Sequence, residues 1–396
     1  MDIRQKIQQQ ASAYFEDVVG IRRHIHRFPE LSYEEFNTSA YIQEQLNCMG
    51  IPFKTGFVKN GVIGMIEGKK PRHRIIALRA EMDALPITEK NEIPFRSENP
   101  GKMHACGHDM HMAALLGAAR IIHTYSEEFE GSVMLIFQPA EEKLPGGASL
   151  LISEGAFADG KPDLIIGQHV LSGLKTGTVG YRSGVYMASS DEIYITVKGK
   201  GGHGAVPHQL VDPVLISAHI IVALQQIVSR NANASVPSVL SFGKVDAPGI
   251  TNVIPSEVTI EGTFRTMNES WRKEAHEKIT KMASLIAEGM GGSCDVTIKR
   301  GYPVLENHAG YTEKAIRLSR ELLGAEHVME MDLRMTSDDF AYYSQYCPSV
   351  FYRFGTTDPE EKFMSPVHSA TYMADERSLI TAMSNLAWLT LSFLKE

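Results

Sequence analysis

Cysteine is scarce in this chain. There are 4 among 396 residues, Cys48, Cys106, Cys294 and Cys347, far apart and without a CxxC pair. In a chain of this size that spacing argues against a disulfide framework. No secretion leader is expected either, because the opening MDIRQKIQQQ carries no apolar stretch after its charges. No run of about 18 uninterrupted apolar residues occurs, so no membrane span is expected. Basic excess is missing: 39 Lys and Arg stand against 47 Asp and Glu, a formal net charge of -8, which speaks against a nucleic-acid partner. Repeats and low-complexity segments are absent. What remains, with 43% hydrophobic and 22% charged residues, is the composition of a soluble globular protein, and a cytoplasmic location is expected. The length suggests two or three domains, one of them possible as a discontinuous unit.

Residues 5–26 and 34–49 carry amphipathic helix patterns, separated by Pro29 and stopped by Gly50. Val/Ile-rich runs follow at 62–66, 75–78, 133–137 and 164–166, with a helical pattern at 110–123 between the second and third. Such runs, bounded by loops and separated by helices, read as buried strands of an α/β sheet. The character changes after about Tyr186. Residues 191–198 alternate like a half-exposed strand, and 212–229 read as a helix with Asp212 as N-cap and Pro213 at its first position. Strands at 239–245 and 258–265, a helix at 269–289 and a strand at 294–299 complete a β-α-β-β-α-β order, the ferredoxin-like pattern. After Gly301 helices are expected near 310–323 and 376–394 and a strand near 349–354. The expected architecture is therefore an α/β catalytic domain with a mixed sheet, residues 1–186 and 301–396, interrupted by a ferredoxin-like α+β domain at 187–300.

The densest chemistry lies in Met103-His104-Ala105-Cys106-Gly107-His108-Asp109-Met110-His111. Singly, each residue fits a polar loop. Together, thiolate and imidazole are preferred ligands of Zn²⁺ and related transition metals. If the segment is extended, the C-x-H spacing puts Cys106 and His108 on one face, with Gly107 free to bend between them. Gln138-Pro139-Ala140-Glu141-Glu142 follows an apolar strand, where ligand sites of open α/β sheets form. Adjacent side chains on extended backbone point apart, which suggests divided roles for the two carboxylates. His169 follows another apolar run, and His368 lies near the C-terminus. His123, His219 and His276 read as structural residues.

Eight blocks carry a resemblance: RAEMDALP (79–86), MHACGHDMH (103–111), QPAEE (138–142), KGKGGHGAVPH (198–208), NVIP (252–255), GTFR (262–265), SDDFAYY (337–343) and HSATYMADE (368–376). They resemble, in order and across nearly the whole chain, the dinuclear-metal family that joins aminoacylases to carboxypeptidase-like and dipeptidase-like exopeptidases. Within it the chain looks like the amidohydrolase branch of hippurate hydrolase, bacterial aminoacylase and auxin-conjugate hydrolase. The resemblance implies a dinuclear metal site in the catalytic domain and an inserted lid domain of the type that also dimerises. It implies Cys106, His108, Glu142, His169 and His368 as metal ligands, Glu141 as general base, and His203 on the lid as a holder of the substrate carbonyl or oxyanion. Asn252 and Arg265 are implied on the substrate side, near a free carboxylate, and Asp83 in the strand-end motif that orients the ligands. The branch usually has Asp where this chain has Glu81, and Ala370 and Tyr372 also depart from its pattern.

The expected function is metal-dependent hydrolysis of the amide bond of small N-acylated amino acids, with two divalent ions per subunit. A cysteine ligand favours Zn²⁺, Co²⁺ or Ni²⁺ over Mg²⁺, and Mn²⁺ is common in the family branch. A homodimer or higher homo-oligomer is open. The alternatives are a dipeptidase or aminopeptidase with the same centre, and an inactive metal-free binding protein.

Overall fold

The computed structural model describes residues 2–71, 73–358, 360 and 365–395. It divides into two compact units, Met1–Gly184 with Glu306–Asp332 and Asp339–Glu396, and Val185–Leu305 with Leu333–Asp338.

The first unit opens with α1 (Ile3–Arg27) and α2 (Phe36–Cys48). Ile7, Ala11, Val18, Arg22 and Ile25 recur at three-, four- and seven-residue steps, so one stripe of α1 is buried. The Glu30 carboxylate accepts the amides of Asn37 at 3.1 Å and Thr38 at 2.8 Å, satisfying donors that the start of α2 leaves open. Strands β1 (Phe53–Phe57), β2 (Gly61–Glu67) and β3 (Ile75–Glu81) lead to α3 (His108–His123), then β4 (Ser132–Gln138), α4 (Gly147–Ser153), β5 (Leu164–Lys175) and β6 (Val179–Tyr181). Helix α3 is buried from His108 through Ala119. Its small residues let other elements come close: a Cβ at Gly117 would stand 2.8 Å from the Met383 sulfur.

The second unit carries β7 (Gly184–Met187), β8 (Asp191–Lys198), β9 (Gly202–His203), α5 (Pro213–Gln226), β10 (Ser238–Asp246), β11 (Val253–Ile254), β12 (Glu257–Thr266), α6 (Glu269–Gly289) and β13 (Ser293–Arg300). Its antiparallel sheet has the order β10-β12-β8-β13, the ferredoxin-like arrangement. Asp212 caps α5 by accepting the Val214 and Leu215 amides. The run Pro213–Asn231 is apolar enough, by length and composition, to cross a membrane. Here Ile216, Ile220, Leu224 and Ile227 are packed in the core of this unit with Ile193, Ile195 and Phe264.

The chain then returns to the first unit through β14 (Leu305–Asn307), α7 (Ala309–Leu323), β15 (Val328–Glu330), α8 (Ala341–Tyr346), β16 (Ser349–Thr357) and α9 (Ser378–Phe393). The large sheet has the order β1-β2-β4-β3-β5-β16-β6-β15, and it is mixed: β3 runs parallel to β4 and β5, while β1, β2 and β4 pair antiparallel. Helices α1, α3 and α9 pack together, and α3 rests on β3 and β5. Contrary to the expectation from the apolar run, His169 does not follow its strand but lies inside it. Pairing of β5 with β3 stops at Gly167, yet β16 supplies partners from Ile165 as far as Lys175, so the strand continues.

Candidate functional site

The C-terminal ends of β3 and β4, the middle of β5 and the start of α3 come together, and most of the residues singled out above lie there. Gly107 is the N-cap of α3 with φ 84°, a left-handed conformation that glycine adopts without strain. A Cβ here would also meet the Val170 side chain at 2.7 Å. The chain therefore turns between Cys106 and His108. They converge from a turn, not from one face of an extended segment as the spacing suggests.

The two carboxylates differ from expectation as well. Ala140 has φ 55°, so the chain bends after β4 and the extended-backbone argument does not apply. One oxygen each of Glu141 and Glu142 lies 4.0 Å from His108 Nε2: the pair converges on one ring. The bend is held from below. Glu35 Oε1 accepts the Ala140 amide at 2.8 Å and Asp83 Oδ2 accepts the Glu142 amide at 2.9 Å. Asp83 Oδ2 also takes the Ser32 hydroxyl at 2.7 Å.

Glu35 is fully buried, and burial, aided by the Asp83 charge, lifts its pKa from 4.5 to about 7. The folded state thus holds a proton on Glu35 that the unfolded chain has lost, so this group costs stability as pH rises from about 4.5 to 7. A Glu35→Gln chain should gain stability relative to the parent across that window and hold the gain above it. The full gain is about 3 kcal/mol at 1.36 kcal/mol per pKa unit. Urea unfolding of both proteins at pH 5, 6 and 8 measures it, and a difference independent of pH would contradict the assignment.

Several groups of ligand atoms converge among the described residues, and two of them contain Cys106. Cys106, His108 and His169 form one, with the Cys106 sulfur 3.4 Å from His169 Nε2. Cys106, Glu142 and His368 form the other, with His368 Nε2 3.3 Å from both the sulfur and Glu142 Oε1. The two share Cys106. Atoms held at ~2.0–2.3 Å by one tetrahedral ion lie about 3.3–3.8 Å apart, so these separations suit shared coordination. The rings are turned accordingly. His108 Nδ1–H donates to the Asp83 carbonyl at 2.8 Å and His169 Nδ1–H to the Val170 carbonyl at 2.8 Å, which aims each Nε2 inward. His108 Nε2 and Glu142 Oε1 are buried without a hydrogen-bond partner.

Carboxylates crowd the site. Burial opposes a charge on His108, yet Asp83 and Glu81 lift its pKa to about 10. Burial, followed by Glu142 and Glu141, raises the Cys106 thiol well above its usual range, so only nearby positive charge would ionise it. His104 is buried and driven down to about 3, which keeps it a neutral ring. Behind these groups, burial resists the charge of Asp109, but Arg22 at 2.7 Å and His26 at 2.8 Å hold it well below the usual carboxylate range.

His203, Asn252 and Arg265 lie in the second unit. His203 is exposed on β9, pairs with Val253, and accepts the Ala205 amide on Nδ1 at 3.1 Å. The Asn252 carbonyl accepts the Gly204 amide at 2.9 Å, so those two segments are neighbours. Arg265 on β12 donates to the Met335 carbonyl at 3.1 Å and lies 3.4 Å from the Ser337 hydroxyl, and burial lowers its pKa. Sequence reasoning missed the shared role open to Cys106 and the support from Glu35. Glu35 hydrogen-bonds across 105 residues, and no local pattern signals it.

The sequence profile of peptidase family M20/M25/M40 matches residues 77–388. An N-acetyl-L-cysteine deacetylase of Bacillus subtilis is 38% identical, over 92% of this chain and 85% of its own. Thermostable carboxypeptidase 1 of Saccharolobus solfataricus is 34% identical, over 95% of each chain. Among solved structures, a Bacillus subtilis dinuclear metal binding peptidase of the M20 family superposes with a TM-score of 0.83 at 31% identity, covering 97% of this chain and 99% of that one.

Proposed function

The chain belongs to peptidase family M20/M25/M40, and from that premise we propose that it hydrolyses the amide bond of N-acylated amino acids, releasing a carboxylate and a free amino acid. It is a hydrolase of a family that acts on amide bonds. The observation that carries the reading is the pair of ligand groups sharing Cys106, with the Glu141 carboxylate beside them.

Cys106, His108, Glu142, His169 and His368 would hold two divalent ions, Mn²⁺ or Zn²⁺, with Co²⁺ or Ni²⁺ also suited to the thiolate. Bound ions of this kind polarise a carbonyl and bring the pKa of coordinated water from 15.7 to about 7. Glu141, 7% exposed and 4.0 Å from His108 Nε2, would accept the proton of the attacking water and return it to the departing nitrogen. Asp83 holds His108 through its carbonyl and Glu142 through its carboxylate, so it acts by positioning. On the second unit, His203 would donate to the developing oxyanion. Arg265, whose hydrogen bonds go to a carbonyl and a hydroxyl, and Asn252 would each serve the substrate side, toward its free carboxylate. Four free cysteines, with no disulfide among them, fit the reducing cytoplasm.

A second reading, a carboxypeptidase or dipeptidase on the same centre, is favoured by the similarity to the Saccharolobus carboxypeptidase. Turnover of hippurate, N-acetyl-amino acids and unblocked dipeptides by metal-analysed protein separates the two. The N-acyl compounds should lead, a chelator should abolish their hydrolysis, and added Mn²⁺ or Zn²⁺ should restore it. Hydrolysis of dipeptides alone would overturn the proposal in favour of the second reading.

A further inference from the structure

His111 stands one turn after His108 on α3 and is fully buried. Both of its ring nitrogens are engaged. Nε2 accepts the Val170 amide at 2.9 Å, and Nδ1 faces Glu81 Oε2 at 2.8 Å. A backbone amide can only donate, so Nε2 carries the lone pair and Nδ1–H donates to the carboxylate. This fixes the tautomer and leaves His111 no atom for a metal.

The other side of the same stretch of chain holds His169. Its Nδ1–H donates to the Val170 carbonyl at 2.8 Å, which aims Nε2 at the Cys106 sulfur. The Val170 amide is thus gripped by His111 and the Val170 carbonyl orients His169. Glu81 is itself bound to the Arg79 guanidinium. Arg79 reaches Gln138 Oε1 at 2.9 Å and Asp339 Oδ1 at 2.6 Å, so the grip is anchored across the ends of β3 and β4.

We propose that His111 is a positioning residue for His169, acting through the backbone of Val170, with Glu81 holding the ring in the one tautomer that can accept that amide. The idea rests on the reading of His169 as a metal ligand. It also accounts for Glu81, whose carboxylate reaches Arg79 and His111 together.

The test compares His111→Leu, His111→Gln and His169→Ala by Co²⁺ titration, reading both affinity and the thiolate–Co²⁺ absorption, with thermal unfolding of each apoprotein alongside. His111→Leu should weaken Co²⁺ by about 10–100-fold, the usual cost of losing a residue behind a ligand, and alter the absorption. His111→Gln restores an acceptor near the Nε2 position and should recover most of the affinity. His169→Ala should lose the ion of its group outright. A folded His111→Leu protein with parental Co²⁺ affinity and spectrum overturns the proposal, as does a Gln variant no better than Leu when both are equally stable. If His111→Leu fails to fold, the Gln variant alone decides, by whether it keeps near-parental affinity. If His169→Ala binds Co²⁺ like the parent, the ligand reading falls, which is a separate failure.

Discussion

A Glu141→Gln protein should bind its metal as the parent does and lose about 10²–10⁴ of kcat, the usual contribution of a positioned proton carrier. Glutamine keeps the size of the side chain and removes its basicity. Glu141 stands with His108 and Glu142 in a further cluster but belongs to neither of the two groups that contain Cys106, so the ions should stay. Metal analysis and steady-state turnover of one preparation measure both quantities. Near-parental kcat would refute the general-base role, and loss of metal would make Glu141 a ligand instead.

Cys106→Ala should have the larger effect on the metals. The sulfur belongs to both ligand groups, and it lies 3.4 Å from His169 Nε2 and 3.3 Å from His368 Nε2. Its loss should weaken both ions together by more than about 100-fold, since even residues behind a ligand cost ~10–100-fold. His368→Ala removes a member of only one of these groups and should leave the other ion bound. Equilibrium dialysis with elemental analysis distinguishes them. Two ions retained by Cys106→Ala would mean that the sulfur bridges nothing, and loss of both from His368→Ala would mean that the two sites cannot fill separately. Chelator-treated parent provides the zero for both measurements.

The chemistry is legible in the sequence because its residue types are rarely crowded together. Cys106 and His108 two apart, and Glu141 beside Glu142 after a buried strand, mark the place, and the structure brings these four together with His169 and His368. The ferredoxin-like order of the second unit is legible from alternation and from the Asp212-Pro213 helix start. What the sequence hides depends on bends and on distance. Ala140 takes a left-handed conformation that alanine does not advertise, so both carboxylates reach His108 where an extended chain would part them. Glu35 and Glu81 act on residues 105 and 30 positions away, and nothing local marks either as a support. His169 reads as lying beyond its strand because Gly167 and Gln168 interrupt the apolar run before it, and only the pairing with β16 shows that the strand goes on.

That pairing has a consequence for how the protein is made. Strand β16 lies between β5 and β6 in the large sheet, but it is synthesised after the whole of the second unit. His368 follows later still. On the ribosome, Cys106, His108, Glu142 and His169 emerge well before the strand that completes their sheet and the histidine that completes their second ligand group. Domains of growing chains tend to fold as units, so the second unit can finish first while the early half waits with an open sheet edge. A nascent chain stopped before β16 would lack a central strand as well as His368. The sheet and both Cys106-containing groups are complete only once the last part of the chain has been made.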